Sequence, residues 1–260
     1  PNTILGKDIA GSVDSIEKIT VKDLKDNFDC FYRSANCHLV LVGDFDVENI
    51  YTLVNEKQSK FTPPERIVEK EKHPIESDIQ KLDSLQMEIF ISKLAIGFKS
   101  VPFTDNRMRE NILVQLLFNL LFGWTSPYYQ TWYAEGKIDE SVSIEYEVSN
   151  RYSFVIMTMD TAEPIRMSSL IRQVMTSADK KRLLTEEALD LQKKALYGEF
   201  LRSLDNIQNL GSQYLAYFEN DKTYFDFGQE LMSITSKDLK DFLNHYLSNI
   251  EITDFVVFPK

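Results

Sequence analysis

The amino-acid sequence predicts an α+β protein made of tandem copies of one unit, and three observations point there. Segments with alternating apolar residues and segments with helical apolar spacing both recur along the chain. A charged stretch with adjacent prolines separates a short first part from a longer second part. A helix start also repeats: Ile19-Thr20-Val21-Lys22-Asp23-Leu24-Lys25-Asp26 returns as Ile234-Thr235-Ser236-Lys237-Asp238-Leu239-Lys240-Asp241, seven identities in eight positions at an offset of 215.

In chain order, Thr20 caps a helix over 20–32. Asp23 stands where a carboxylate complements the positive end of the dipole, and Val21, Leu24, Phe28 and Phe31 share one face. A turn at Ser34-Ala35-Asn36 leads to a short apolar strand over 38–42 that ends at Gly43-Asp44, and 47–60 returns to helical spacing. Residues 62–84 turn charged after Thr62-Pro63-Pro64 and read as a linker, part of which suits an edge strand. Residues 87–98 alternate and are rich in β-branched and aromatic side chains, which predicts one long strand. Thr104-Asp105-Asn106 caps a strongly apolar helix over 105–121, ended by Gly123, that belongs at the centre of the core. Pro127 suits the first turn of a shorter helix over 127–134. Residues 141–148 and 152–160 pair as antiparallel strands around Ser149-Asn150-Arg151. Helices follow from Glu163-Pro164 and over 185–203, 207–218, 224–231 and 236–246, and 252–258 closes the chain as a strand. The second part therefore predicts a mainly antiparallel sheet with helices. The aromatic run over 214–227 has the spacing of core residues, and Glu186-Glu187 complement a helix dipole.

Composition narrows the function. The 260 residues carry 29 Lys+Arg and 40 Asp+Glu, so the net charge is 29 − 40 = −11, which disfavours nucleic acid as a partner. With 43% hydrophobic and 27% charged residues the chain has a substantial core and room for one or two domains. Its longest apolar stretch, 112–124, is broken by Gln115 and Asn119 and falls short of the roughly twenty residues of a membrane span. Cys30 and Cys37 read as two ordinary thiols, consistent with a cytoplasmic location. The opening Pro1-Asn2-Thr3 says nothing of targeting. Gly43-Asp44 after a strand lacks the further glycines of a phosphate loop, and no Ser lies in a G-x-S-x-G elbow.

If the repeat is a duplication, the chain carries the tail of one copy and nearly all of the next. Residues 1–62 are then the tail (helix, strand, helix), 63–84 a linker and 85–260 the second copy, in the back part of a larger protein. The competing reading is two capped helices that converged on one Thr-x-x-Asp start.

Several segments resemble a known family. Ile4-Leu5-Gly6, Ser15-Ile16-Glu17-Lys18-Ile19-Thr20-Val21-Lys22-Asp23-Leu24, Phe31-Tyr32, Asn36 and Leu39-Val40-Leu41-Val42-Gly43-Asp44-Phe45-Asp46 resemble the end of the first homologous domain of the insulinase (pitrilysin) family of zinc metallopeptidases. Leu120-Leu121-Phe122-Gly123-Trp124-Thr125-Ser126 with Tyr128-Tyr129-Gln130-Thr131-Trp132-Tyr133 resembles its following domain. Glu135-Gly136-Lys137-Ile138-Asp139-Glu140-Ser141-Val142-Ser143 is similar to the bacterial predicted Zn-dependent peptidases of that family. The resemblance implies tandem α+β domains, each a sheet with helices on one face, forming two halves of a clam-like chamber. It implies a peptide or unfolded polypeptide as substrate, and the N-terminal catalytic half or a homologous subunit as partner.

The family's chemistry lies in an H-x-x-E-H motif, where two His and a distant Glu hold zinc and the motif's Glu activates water. His38, His73 and His245 are the three histidines here; no two are four apart and none opens the motif. Each reads as a structural or surface side chain. The chain is therefore expected to hold no catalytic residue and no cofactor, with zinc in the N-terminal half if the parent protein is active. The family's second half also contributes an Arg, followed seven residues later by a Tyr, that reach the substrate. The resemblance places Tyr133 at the Arg position and Glu140 at the Tyr position, beside Tyr128 and Tyr129, and puts 128–140 on the inner wall of the chamber. Tyr133 lacks the charge-assisted fork of a guanidinium, and a bond to a charged group contributes about 1.5–3 kcal/mol against about 1 for a neutral one. Substrate contact is accordingly weaker or differently directed, with Glu140 favouring basic side chains; the plainer alternative has Tyr133 packing on the sheet. The function implied is that of a non-catalytic C-terminal portion of a zinc-dependent peptidase. Alternatives are a non-peptidase scaffold or assembly subunit of the same fold, and a generic α+β interaction module.

Overall fold

A computed structural model describes residues 6, 8–33, 36–60, 79–149, 152–177, 180–218 and 222–260. Ile4-Leu5, most of the turn expected at 34–36, the charged run with His73, and Asn150-Arg151 of the hairpin tip lie outside the described residues. In chain order the elements are α1 (Val13–Ile16), α2 (Val21–Phe31), α3 (Val47–Gln58), β1 (Leu82–Met87), β2 (Lys93–Ser100), α4 (Arg107–Phe122), α5 (Pro127–Ala134), β3 (Ser143–Val148), β4 (Ser153–Asp160), α6 (Pro164–Thr176), α7 (Lys180–Leu183), α8 (Glu186–Leu204), α9 (Ile207–Tyr217), a 3₁₀ turn (Tyr224–Asp226), α10 (Phe227–Ser233), α11 (Ser236–Asn249) and β5 (Glu251–Pro259). The chain divides into two units, Pro1–Ser77 with Leu204–Phe218, and Asp78–Ser203 with Glu219–Lys260.

The second unit is an α+β body around one sheet of order β1-β5-β2-β4-β3. Its pairs are antiparallel except β1 with β5, which is parallel. Alternation builds the core. Leu94, Ile96 and Phe98 of β2 lie opposite Met159, Met157 and Val155 of β4, and all six are buried. On the other face Lys93 bonds Asp160 at 2.7 Å and Lys99 bonds Glu251 at 3.2 Å, both in contact with water. Helices cover the first face. Along α4, Ile112, Leu113, Val114, Leu116, Leu117, Phe118 and Leu121 are at 0% exposure, and Phe98 meets Phe118 edge to face at 5.1 Å. Asn106 caps α4 by accepting the Arg109 N–H at 3.1 Å, and Gly123 ends it, close to the expected bounds. Asp254 of β5 accepts Ser168 Oγ at 2.7 Å and Arg172 Nη2 at 3.0 Å, which ties α6 to the sheet.

Three expectations need correction. The long strand over 87–98 is two strands: β1 ends at Met87 and β2 begins at Lys93, and β5 lies between them. The apolar alternation slips by one residue across the connection, from Met87, Ile89 and Ile91 to Leu94, Ile96 and Phe98, and a single strand cannot keep both sets on one face. Second, 38–42 forms no strand among the described residues, because a strand exists only with a hydrogen-bonded neighbour and no described segment supplies one. Third, the aromatic run over 214–227 splits. Tyr224 and Phe227 are buried, whereas α9, which belongs to the first unit, buries nothing, and Phe218 is 50% exposed.

The first unit keeps its helices although none of its described residues is buried. Thr20 accepts the Asp23 N–H at 3.2 Å while Asp23 accepts the Thr20 N–H at 2.8 Å, the reciprocal capping box. Thr235 and Asp238 repeat both bonds at 3.2 and 2.8 Å at the start of α11. The repeated segment thus folds alike in both units. Yet α2 and α3 bury no residue.

Candidate functional site

The site expected over 128–140 is assembled by α5 and the turn after it. Ser126 caps α5, taking the Tyr128 N–H at 3.2 Å and giving its own proton to Leu121 O at 2.6 Å, so the helix is fastened to the end of α4. Helical spacing then sorts the aromatic residues into two rows. Tyr128 stacks on Trp132 at 6.0 Å, and Trp132 in turn stacks on Phe122, which makes this the inner row. Tyr129 stacks on Tyr133 at 6.0 Å in the outer row, where Tyr133 is 45% exposed. Gly136, with φ +67°, turns the chain back in a left-handed conformation that suits glycine. Lys137 N–H closes on Trp132 O at 2.9 Å, and Asp139-Glu140 come round beside the outer row.

The returning turn is held at both ends. Tyr129 donates its hydroxyl proton to Asp139 O at 3.3 Å. Ser141 N–H donates to Asp139 Oδ1 at 2.8 Å, and Ser141 Oγ accepts the Asp160 N–H from β4 at 2.8 Å. The Ser141 hydroxyl and then its N–H hold the Asp139 carboxyl below the usual range. Burial, followed by the charges of Tyr133, Glu140 and Asp139, pushes the Tyr129 hydroxyl above its ordinary value. Tyr129, Tyr133 and Glu140 therefore share one exposed acidic and aromatic patch. Tyr128 faces the core side instead.

β3, which follows this patch in the chain, is the last strand of the sheet among the described residues. Ser149 N–H bonds to Tyr152 O at 2.8 Å, so the antiparallel alternation turns the amides of Ser143, Glu145 and Glu147 toward β4, and those of Ile144, Tyr146 and Val148 outward. Val148 O accepts Arg107 Nε at 2.9 Å from α4. Sequence reasoning missed a second feature here. Arg107, Asn111, Gln115 and Asn119, with Gly123 at the helix end, recur every four residues and form a half-exposed stripe along a helix whose other residues, Arg109 apart, are buried. Gln115 Nε2 bonds Asn111 Oδ1 at 3.1 Å, and Tyr146 donates its hydroxyl proton to Asn119 at 2.9 Å. In the sequence Gln115 and Asn119 counted only as interruptions; their four-residue spacing was the available signal.

These residues do not suit a catalytic metal. No group of three His, Cys, Asp or Glu able to hold an ion occurs among the described residues. His38 packs edge-on against Phe218 at 5.9 Å, and His245 Nε2 lies 3.2 Å from Val101 O. No described helix is long and apolar enough to cross a membrane.

The chain is similar to known proteins over nearly all of its length. Residues 18–196 match the family described as the peptidase M16 inactive domain. The chain is 30% identical over 258 residues to the zinc protease YmfH of Bacillus subtilis, covering 97% of this chain and 60% of that protein. It is 19% identical to the zinc protease PqqE of Helicobacter pylori, covering 96% of this chain and 57% of that one. An M16-like peptidase from Alicyclobacillus acidocaldarius superposes with a TM-score of 0.86 at 25% identity, over 98% of this chain and 62% of that structure. The chain thus spans about 60% of the length of the relatives it matches.

Proposed function

The chain belongs to the family of peptidase M16 inactive domains, and on that premise we propose that it is the non-catalytic part of a zinc peptidase-like protein and supplies one wall of a peptide-binding chamber. The observation that carries this reading is the patch of Tyr129, Tyr133 and Glu140, exposed yet held by stacking and by the pinned turn. Such a patch offers an extended peptide an aromatic face, a hydroxyl and a carboxylate. The outward amides of Ile144 and Tyr146 add backbone pairing, while Glu145 and Glu147 on the open face of β3 favour basic side chains. Residues 1–62 act as the tail of a preceding homologous domain, 63–84 as the linker and 85–260 as the domain that bears the patch. Zinc belongs to the catalytic half, which is the partner of this chain or part of the same parent. The free thiols of Cys30 and Cys37 fit a reducing, cytoplasmic setting in a bacterial cell.

The test is made in the full-length parent, or in this chain recombined with a catalytic half. Tyr133→Ala and Glu140→Ala are each expected to weaken peptide binding about fivefold, the worth of about one hydrogen bond. Lys240→Ala, at an exposed position of α11, serves as the control. Affinity and turnover equal to the control in both variants would refute the role of the patch and leave the family assignment intact.

A further inference from the structure

Glu110 is a carboxylic acid shut away from water. It stands on α4 at 0% exposure, and its Oε2 accepts the Phe103 N–H at 3.0 Å. Its Oε1 is buried without a hydrogen-bond partner, and so is the hydroxyl of Tyr246, which lies on α11 at 0% exposure. Orphaned polar atoms of this kind are rare in folded proteins and costly to keep. The loop that Glu110 grips, 101–106, is also fastened to α11: His245 Nε2 meets Val101 O at 3.2 Å, and the Phe103 ring packs on Phe242 at 5.9 Å and on His245 at 5.3 Å. A single buried acid thus sits where α4, α11 and the loop join.

We propose that Glu110 is a proton-operated latch, which holds the 101–106 loop and α11 firmly to α4 while its carboxyl is protonated and loosens them once the proton is lost. With the proton on Oε1, Oε2 still accepts the Phe103 N–H. No charge then remains in the core. Loss of the proton to solvent leaves a carboxylate among apolar side chains, and the loop N–H groups alone do not replace its hydration. Burial pushes the Glu110 carboxyl up to about 7, against the pull of the Phe103 and Thr104 N–H groups. Burial first, and then the Glu110 charge, also raises the Tyr246 hydroxyl, so the tyrosine stays protonated throughout.

The other ionisable groups on the elements around α4 have partners or lie elsewhere. Arg109, one residue before Glu110, is held by Glu230 of α10 and Asp238 of α11. Arg107 bonds Val148 O, and Tyr146 of β3 bonds Asn119 near the far end of α4. Glu145 and Glu147 point to the open face of the sheet, Tyr129 and Tyr133 of α5 stand with Glu140, and Arg182 of α7 is exposed. His245 is the titratable group nearest the loop, and the test must separate it from Glu110.

The pH window follows from linkage. An opened loop returns Glu110 toward the ordinary 4.5, whereas the closed core holds it near 7, so closing takes up a proton. Opening therefore rises from about pH 4.5 to about pH 7 and levels off above. Between pH 5 and pH 8 the change is on the order of fifty-fold. Hydrogen–deuterium exchange of the whole chain, corrected for the intrinsic pH dependence of exchange, reads this on the amides of 101–106 and α11. Glu110→Gln keeps the shape and removes the charge, and is expected to abolish the pH dependence, whereas His245→Gln is expected to keep it. A flat wild type, an unchanged slope in Glu110→Gln, or a slope lost only in His245→Gln would each overturn the latch. Should Glu110→Gln fail to fold, the carbon-13 titration of the Glu110 carboxyl in the wild type decides, with a midpoint near 7 supporting the latch and one near 4.5 refuting it.

Discussion

Two glutamates of the second unit show how far the same side chain is steered by its partners. Glu230 of α10 accepts Arg109 Nη1 at 2.9 Å, Lys222 Nζ at 2.6 Å and Asn106 Nδ2 at 3.3 Å. Burial alone pushes its carboxyl up, but Lys222 and Arg109 outweigh burial and hold it below the usual range. The fold therefore favours the ionised form of Glu230 and the neutral form of Glu110, and the two respond to pH with opposite sign. Stability from Glu230 is present above the ordinary carboxyl range and is lost as pH falls through its lowered value. Glu230→Gln should cost about 1–3 kcal/mol at pH 7 and distinctly less at pH 4, measured by urea unfolding at both. An equal cost at the two pH values would show that the charge is not what the site uses. Neither environment was legible in the sequence, because Arg109 lies 121 positions from Glu230 and no local pattern links them. The capping boxes were legible, since Thr20 and Asp23, like Thr235 and Asp238, sit within one turn.

Elements defined by their own residues came through the sequence well, and those defined by neighbours did not. α4, α5, α8 and β4 carry their caps, proline or alternation in place, and each lies within two or three residues of its expected bounds. The gap between β1 and β2 was misread although the alternation slips phase there, and 38–42, unpaired among the described residues, was misread because hydrogen bonding from another segment decides a strand. The repeat turns this contrast into a measurement. By the 215-residue offset Leu24, Phe28 and Phe31 of α2 answer to Leu239, Leu243 and Tyr246 of α11. The α11 residues are at 0% exposure, the α2 residues at 62%, 59% and 38%. Leu239→Ala should therefore cost about 2–5 kcal/mol, the price of a cavity in a packed core, whereas Leu24→Ala in this chain should cost under about 1. Amide exchange within each helix reads the two separately, as two units need not unfold together. If residues 1–62 complete a preceding domain, supplying that domain should raise the Leu24→Ala cost toward that of Leu239→Ala. An equally large cost in the chain alone would mean that α2 is already packed and would remove the basis for a completing domain.

At the scale of the molecule, the family assignment and the sheet with helices on one face agree with the resemblance read from the motifs. The row of amides on α4 went unseen because polar residues in an apolar run look like noise until the helix lines them up. What this chain does alone follows from its donors. A hydrolytic zinc needs three protein ligands converging on one point with a fourth position left to water. Of the two described histidines, His38 is in the first unit against Phe218 and His245 is in the second beside Val101 O, with no acidic or thiol pair gathered round either. Assembling a site would require moving secondary structure that the core of the second unit fixes. The purified chain, given zinc and a fluorogenic peptide, is therefore expected to bind no stoichiometric zinc and to show no chelator-sensitive cleavage. Adding a separately prepared catalytic half should restore cleavage, and Tyr133→Ala in this chain should then lower turnover at limiting peptide about fivefold without changing the zinc content. Zinc content separates the two roles: a loss of metal in that variant would place Tyr133 in support of the catalytic half rather than on the peptide. Chelator-sensitive cleavage by the chain alone would overturn its assignment as the non-catalytic part.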